Sequence, residues 1–344
     1  MRQPRVTTTS GRLLLLAGLL VLGTNGAARA ADATTGLCRV DDEIAHARRA
    51  ALDDAALTFV RAALGPEPQK AYAMMATEAQ STTSAKALGE QMGALNKTSG
   101  AFENLHVVHT YLVTDVGGDA PQTRTICGTL ADDKWVAVAS RPGADQAHVV
   151  VGAQTKNNDW AFTLWLTRAG SEWRVLNFHV GVSGIVGHTP EALVGLARQE
   201  REAGHPFNAA IVLATAQGLV NRGPAFQLGV VPAAQAEVQK LQLPAELQGK
   251  PPFTWTMQGQ SYTVADAGLI GVGKEIGILI VLPQTTWTDE HDVDAKNRAF
   301  INAFIATHPD YSRVFNFIVA RAVKPDNSSG FATVYENGKG FVKK

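Results

Sequence analysis

His109 and Tyr111 stand two residues apart in a stretch that alternates from Leu105 to Val113, so they share one face of a β-strand. His179 lies in a later strand pattern that opens on Trp173. Two imidazoles and a phenol brought together would bind a polar ligand, or move a proton near neutral pH. No Asp or Glu falls on the same strand faces to pair with them, so hydrogen-bonded sheet residues are the competing reading. A second group is Asp289-Glu290-His291-Asp292-x-Asp294. Oxygen-rich runs hold calcium, and imidazole with carboxylate holds transition metals. This run lacks the glycine turn and distal Glu of a calcium loop, and acids at a helix start are favoured by the helix dipole. A third is the glycine-rich stretch 268–277, which has no Lys-Ser/Thr after it and reads as a hairpin or turn. Ser183 is not in a nucleophile elbow, because residue 185 is Ile. Neither His-Glu-x-x-His nor Cys-x-x-Cys occurs. The reading therefore assigns His109, Tyr111 and His179 to ligand binding, and assigns no catalytic residue, no metal ligand and no cofactor.

The two cysteines, Cys38 and Cys127, lie outside any nucleophile motif. In an oxidising compartment they pair by default, closing a loop worth ~4–5 kcal/mol in the chain-entropy model. Two buried free thiols are the alternative.

The compartment follows from the first 30 residues. Arg2, Arg5 and Arg12 precede the apolar run 13–22, and Ala28-Arg29-Ala30 completes the pattern of a secretory signal peptide. The run is ten residues, about half of what a bilayer requires. Removing residues 1–30 takes away four Arg and no acid, leaving 27 basic and 31 acidic residues, a net charge of −4. No basic face suggests nucleic acid. Ala- and Gly-rich composition with a short leader points to a bacterial periplasm, or to secretion. Cys38 lies too far from the apolar run for a lipid anchor.

Helical periodicity predicts helices over 41–64, 69–80 and 84–95, followed by strands over 105–113, 123–130, 135–140, 148–153, 160–168 and 173–182. Gly117-Gly118, Arg141-Pro142-Gly143 and Ala169-Gly170-Ser171 supply turns, so the strands read as one antiparallel meander. Beyond a linker, Thr189-Pro190 starts a helical hairpin, 191–203 and 207–222, followed by a short helix at 233–241. The C-terminal part reads β-β-β-α-β-β: strands 253–257, 262–265 and 276–282, a helix 289–307 capped by Thr288, and strands 313–323 and 331–335.

Helices followed by a meander closing on Trp173-x-Val175-x-x-Phe178 resemble the nuclear transport factor 2-like (cystatin-like) superfamily, over some 130 residues. That resemblance implies a helix-wrapped sheet forming a cone, on which enzymes, ligand binders and structural modules all occur.

The expectation is an α+β chain: N-terminal helices on a curved antiparallel sheet, a helical hairpin, then a second small α+β unit. The segments are 1–30 signal peptide, 31–187 nuclear transport factor 2-like domain, 188–243 connector and 244–344 C-terminal domain. The leading functional reading is a non-enzymatic protein that binds a ligand or a protein partner in the cell envelope. The alternative is a small-molecule enzyme using acid–base residues in the cone pocket.

Overall fold

A computed structural model describes residues 36–342 except 131–133, 157, 288 and 325–328. The expected leader, Thr288 and the Asp132-Asp133 turn lie outside the described residues. The chain is α+β and divides into two compact units. Among the described residues, one comprises 36–184 and 219–233, the other 185–218 and 234–342.

The first unit starts with β1 (Leu37–Val40) and a 3-10 turn at Asp41–Glu43, and only then α1 (His46–Leu64). The helix expected from Asp41 thus begins five residues later, because Asp41 is left-handed at φ +47° and Ile44 and Ala45 have non-helical ψ angles of 132° and 128°. Leu52, Ala56, Phe59, Val60 and Ala63 form its buried stripe. The helix expected over 69–80 is two, α2 (Pro68–Ala73) and α3 (Thr77–Thr82), parted where Met75 bridges to Val175. The last is α4 (Ala85–Ser99), where the Ser84 hydroxyl accepts the Ala87 N–H at 3.1 Å and Leu88 and Met92 point inward.

Six strands follow: β2 (Glu103–Thr114), β3 (Thr123–Cys127), β4 (Val136–Ser140), β5 (Gln146–Gln154), β6 (Asn158–Ala169) and β7 (Glu172–Ile185). They do not make the single meander expected. β3 and β4 leave the main sheet and join β8 (Phe226–Leu228) in a sheet ordered β3-β4-β8, while the main sheet runs β1-β2-β5-β6-β7. The separation has a packing cause. β4 and nearly all of β5 are buried along their length, so each needs a partner layer on both faces. One face of the main sheet packs on the helices through Leu112, Val149, Phe162, Leu164, Phe178 and Val180. The other packs on β3, β4 and β8 through Tyr111, Val113, Val150 and Phe226. The disulfide expected between Cys38 and Cys127 is present and ties β1 to β3 across 89 residues.

The second unit holds the hairpin α5 (Pro190–Glu202) and α6 (Pro206–Leu219), with Thr189 capping α5 as expected. The short helix α7 (Val230–Lys240) starts three residues before the expected 233. β9 (Phe253–Met257) and β10 (Gln260–Val264) form a hairpin. The glycine-rich stretch is the hairpin of β11 (Asp266–Val272) and β12 (Glu275–Pro283). α8 (Glu290–Thr307) is capped by Asp289, whose carboxylate accepts the Asp292 N–H at 2.8 Å. The strand expected from 313 begins four residues later, because Pro309–Arg313 is a 3-10 turn. β13 (Phe317–Val323), β14 (Gly330–Glu336) and β15 (Gly340–Phe341) complete a sheet ordered β11-β12-β13-β14-β15, with β12 and β13 parallel across α8. Its core is aromatic: Trp255 stacks on Phe300 and Phe304, and Phe207 meets Trp255 edge-on. None of the described helices is long and apolar enough to cross a membrane.

Candidate functional site

The expected meeting of His109, Tyr111 and His179 inside a helix-wrapped cone does not occur. The helix side of the main sheet is packed at its centre, with open clefts of about 540 Å³ beside Phe102 and about 350 Å³ beside Trp173. Phe59 meets Phe178 at 5.2 Å between ring centres, and Phe102 meets Trp160 and Phe162 at 5.3 and 5.6 Å. Leu52, Leu88 and Leu164 are buried among them. His109 and Tyr111 stand together on the opposite face, their ring centres 5.9 Å apart. His179 shares no hydrogen bond or ring contact with either among the described residues. It packs instead on Gly223, where a Cβ would lie 2.8 Å from the His179 Cβ. Gly223 also has φ +82°, so both its backbone and its neighbour require glycine. Burial lowers the pKa of His179, and the charge of Arg222 lowers it further.

The residue that gives His109 a chemistry is Asp41. The β1–β2 ladder sets Val40 opposite Tyr111, so the next residue, Asp41, arrives beside Thr110 and His109. Its Oδ2 lies 2.8 Å from His109 Nδ1, and its Oδ1 accepts the Thr110 N–H at 2.8 Å. Arg49 Nη2 stands 3.8 Å from the same Oδ1, and Thr110 Oγ1 donates to Asp53. The left-handed backbone at Asp41 is the strained element that aims the carboxylate. A carboxylate on Nδ1 fixes the tautomer with the proton there and leaves the Nε2 lone pair for other partners. Half of the His109 side chain is exposed, so Nε2 is open to water or a ligand. Tyr111 is nearly buried. Burial first, and the Asp41 charge second, push its phenol well above the usual range, so it stays protonated.

A fourth group was not singled out in the sequence. His148 on β5 is directly opposite Tyr111 in the ladder and wholly buried. Its Nε2 lies 2.7 Å from the Ala139 carbonyl, and its ring stacks on Trp165 at 5.4 Å. Burial drives its pKa down to about 4, against the raising effect of the Ala139 hydrogen bond. Among the described residues, Nδ1 has no hydrogen-bond partner. The available signal was composition: β5 reads QAHVVVGAQ, apolar on both faces, so an imidazole within it has to be buried.

In the second unit, the acidic run at the start of α8 is satisfied locally. Asp289 caps the helix, Asp292 pairs with Lys296 at 2.7 Å, and Asp294 pairs with Arg298 and accepts the Thr333 hydroxyl at 2.6 Å each. A groove of about 270 Å³ beside it includes Glu290, His291 and Asp294. Among the described residues no group of three His, Cys, Asp or Glu is placed to hold a metal.

Compared with known proteins, the chain has no matching family model, curated protein or solved structure.

Proposed function

We propose that the chain is an exported, non-enzymatic binding protein of the bacterial envelope, with residues 1–30 removed as a leader. In this reading the first unit is a nuclear transport factor 2-like module used as a scaffold, and binding takes place on exposed polar surface. The observation that carries it is the packed centre of the helix side of the main sheet, where Phe59, Leu88, Phe162 and Phe178 meet while His109 and Tyr111 stand on the opposite face. The disulfide between Cys38 and Cys127 fits an oxidising compartment. His109, with Tyr111 buried beneath it, marks one candidate ligand-binding patch, and His179 a separate one.

A second reading rests on a different observation, the Asp41–His109 hydrogen bond with Nε2 open to water. That arrangement suits a general base acting on a small molecule.

One experiment separates the two. The full chain, exported from its own leader in a bacterium, is weighed denatured and native. A denatured mass lacking residues 1–30 and two hydrogens supports export and the disulfide. A ligand or partner carried only under native conditions, with no turnover of it, supports binding, and its loss in His109→Gln places it at that patch. Substrate turnover that disappears in both His109→Gln and Asp41→Asn favours the enzyme.

A further inference from the structure

We propose that the Cys38–Cys127 disulfide is a thiol-exchange site whose state decides whether Asp41 holds His109. The inference does not depend on what the protein binds. It starts from how weakly β1 is held by everything else. β1 is an edge strand of four residues, none of them buried, paired to β2 through Leu37–Thr114, Cys38–Val113, Arg39–Leu112 and Val40–Tyr111. A ladder that short is marginal by itself, and an exposed edge exchanges its hydrogen bonds readily with water. The disulfide is the covalent tie between this strand and the body of the unit, through Cys127 on β3.

Asp41 follows β1 directly. Its carboxylate reaches His109 and the Thr110 N–H only while Val40 stays opposite Tyr111, and its backbone is left-handed there. An L-residue other than glycine relaxes out of that conformation when the chain before it is released. Opposing release are the packing of Cys38 and Val40 on the apolar layer, the ion pairs of Arg49 with Asp41 and Asp42, and the Val40 N–H donated to Glu43 Oε2 at 2.9 Å. The apolar contacts are partly buried and the polar ones partly or fully exposed, so each contributes less than the covalent tie.

The two sulfurs are unequal. Cys38 is half-buried, whereas Cys127 is 1% exposed. A dithiol, as a small molecule or on a partner protein, therefore attacks at Cys38. Its thiolate forms a bond to Cys38 Sγ. The Cys38–Cys127 bond breaks, and its electron pair leaves on Cys127 Sγ, which takes up a proton. The second thiol of the reagent then displaces Cys38 from the mixed disulfide, and Cys38 takes up the second proton. The reagent ends as a disulfide, and the protein has gained two electrons and two protons.

The test uses the oxidised full chain labelled with ¹⁵N, with dithiothreitol as the dithiol. The His109 ring nitrogens report the tautomer, and amide hydrogen exchange reports β1. On reduction the proton should move from mainly Nδ1 to mainly Nε2, the ordinary tautomer of free histidine. The β1 amides should exchange at least about tenfold faster, while those of α1 and β6 hold their protection. Cys38→Ser combined with Cys127→Ser should reproduce the reduced spectrum, and Asp41→Gly should give the same ring signals with the disulfide intact. The proposal is overturned if the reduced protein keeps the proton on Nδ1 with β1 protected. It is equally overturned if reduction melts α1 and β6 along with β1, because the disulfide is then a general staple.

Discussion

Tyr111 lies between two histidines of opposite character. His109, two residues along the same strand, is half exposed and hydrogen-bonded to a carboxylate. His148, directly across the ladder, is fully buried, stacked on Trp165, and hydrogen-bonded to a backbone carbonyl. The two share a sheet face, so fold alone does not set their chemistry. A charge within hydrogen-bond reach and access to water do. Around His109 the sheet rim pairs an exposed imidazole with a carboxylate. Around His148 the centre of the face excludes the charged form, which leaves that imidazole as a packing group with one satisfied donor.

The largest test of this contrast is the pair His148→Ala and His109→Ala. The first empties a space against Trp165 and Phe226 and removes the donor to Ala139, so urea unfolding should show a loss of about 3–5 kcal/mol. The second removes an exposed partner and should cost less than about 1 kcal/mol. Equal losses would erase the distinction between rim and centre.

The next effect is a pH dependence. His148 is neutral in the folded state down to about pH 4, whereas in the unfolded chain it titrates near 6.5. Between those values the unfolded chain binds more protons, so acid favours unfolding. Stability is fully present above pH 6.5 and falls by about 3 kcal/mol as pH drops toward 4. His179 and His308, also lowered by burial, act in the same direction, so the His148 share must be isolated. His148→Leu should have a shallower decline of the urea midpoint between pH 6.5 and 4 than the wild type. An unchanged slope would mean that water reaches His148.

How much of this was legible depended on distance along the chain. The helix α4, the C-terminal end of α1 at Leu64, the cap Thr189 and the β6–β7 turn at Gly170 are local patterns, and the sequence carries them openly. β1 and β8 have four and three residues, too few for a period to show. Without β8 there was no reason to take β3 and β4 out of the meander, since Phe226 pairs with Val138 from far along the chain. The site failed in the same way. Asp41 is 68 positions from His109, and reading it as the first residue of a helix removed the carboxylate that the histidine needed. The disulfide was expected correctly, yet its consequence, β1 laid along β2, required a strand that the pattern did not show.

A smaller effect tests the third candidate residue. At Gly223 the backbone is left-handed and His179 presses on the missing side chain through its own Cβ, not a mobile tip. Gly223→Ala should therefore cost about 2 kcal/mol and displace the His179 ring. The thermal midpoint and the His179 ring signals check both parts. The rim around His109 should not respond, because no contact joins His179 to it among the described residues.

The smallest change in stability should accompany the clearest change in chemistry. Asp41→Gly removes the carboxylate and simultaneously relieves the backbone, because glycine adopts φ +47° without penalty. The hydrogen bond to His109 is exposed, but Thr110 is buried and its N–H loses the Asp41 acceptor, a cost that the relieved backbone partly offsets, so unfolding should shift by about 1 kcal/mol. The His109 proton should nevertheless leave Nδ1 for Nε2, closing the lone pair that Asp41 holds open, while the His148 ring signals stay in place. A tautomer that persists without the carboxylate would show that the rim is ordered by something other than Asp41, and the contrast with His148 would then reduce to exposure alone.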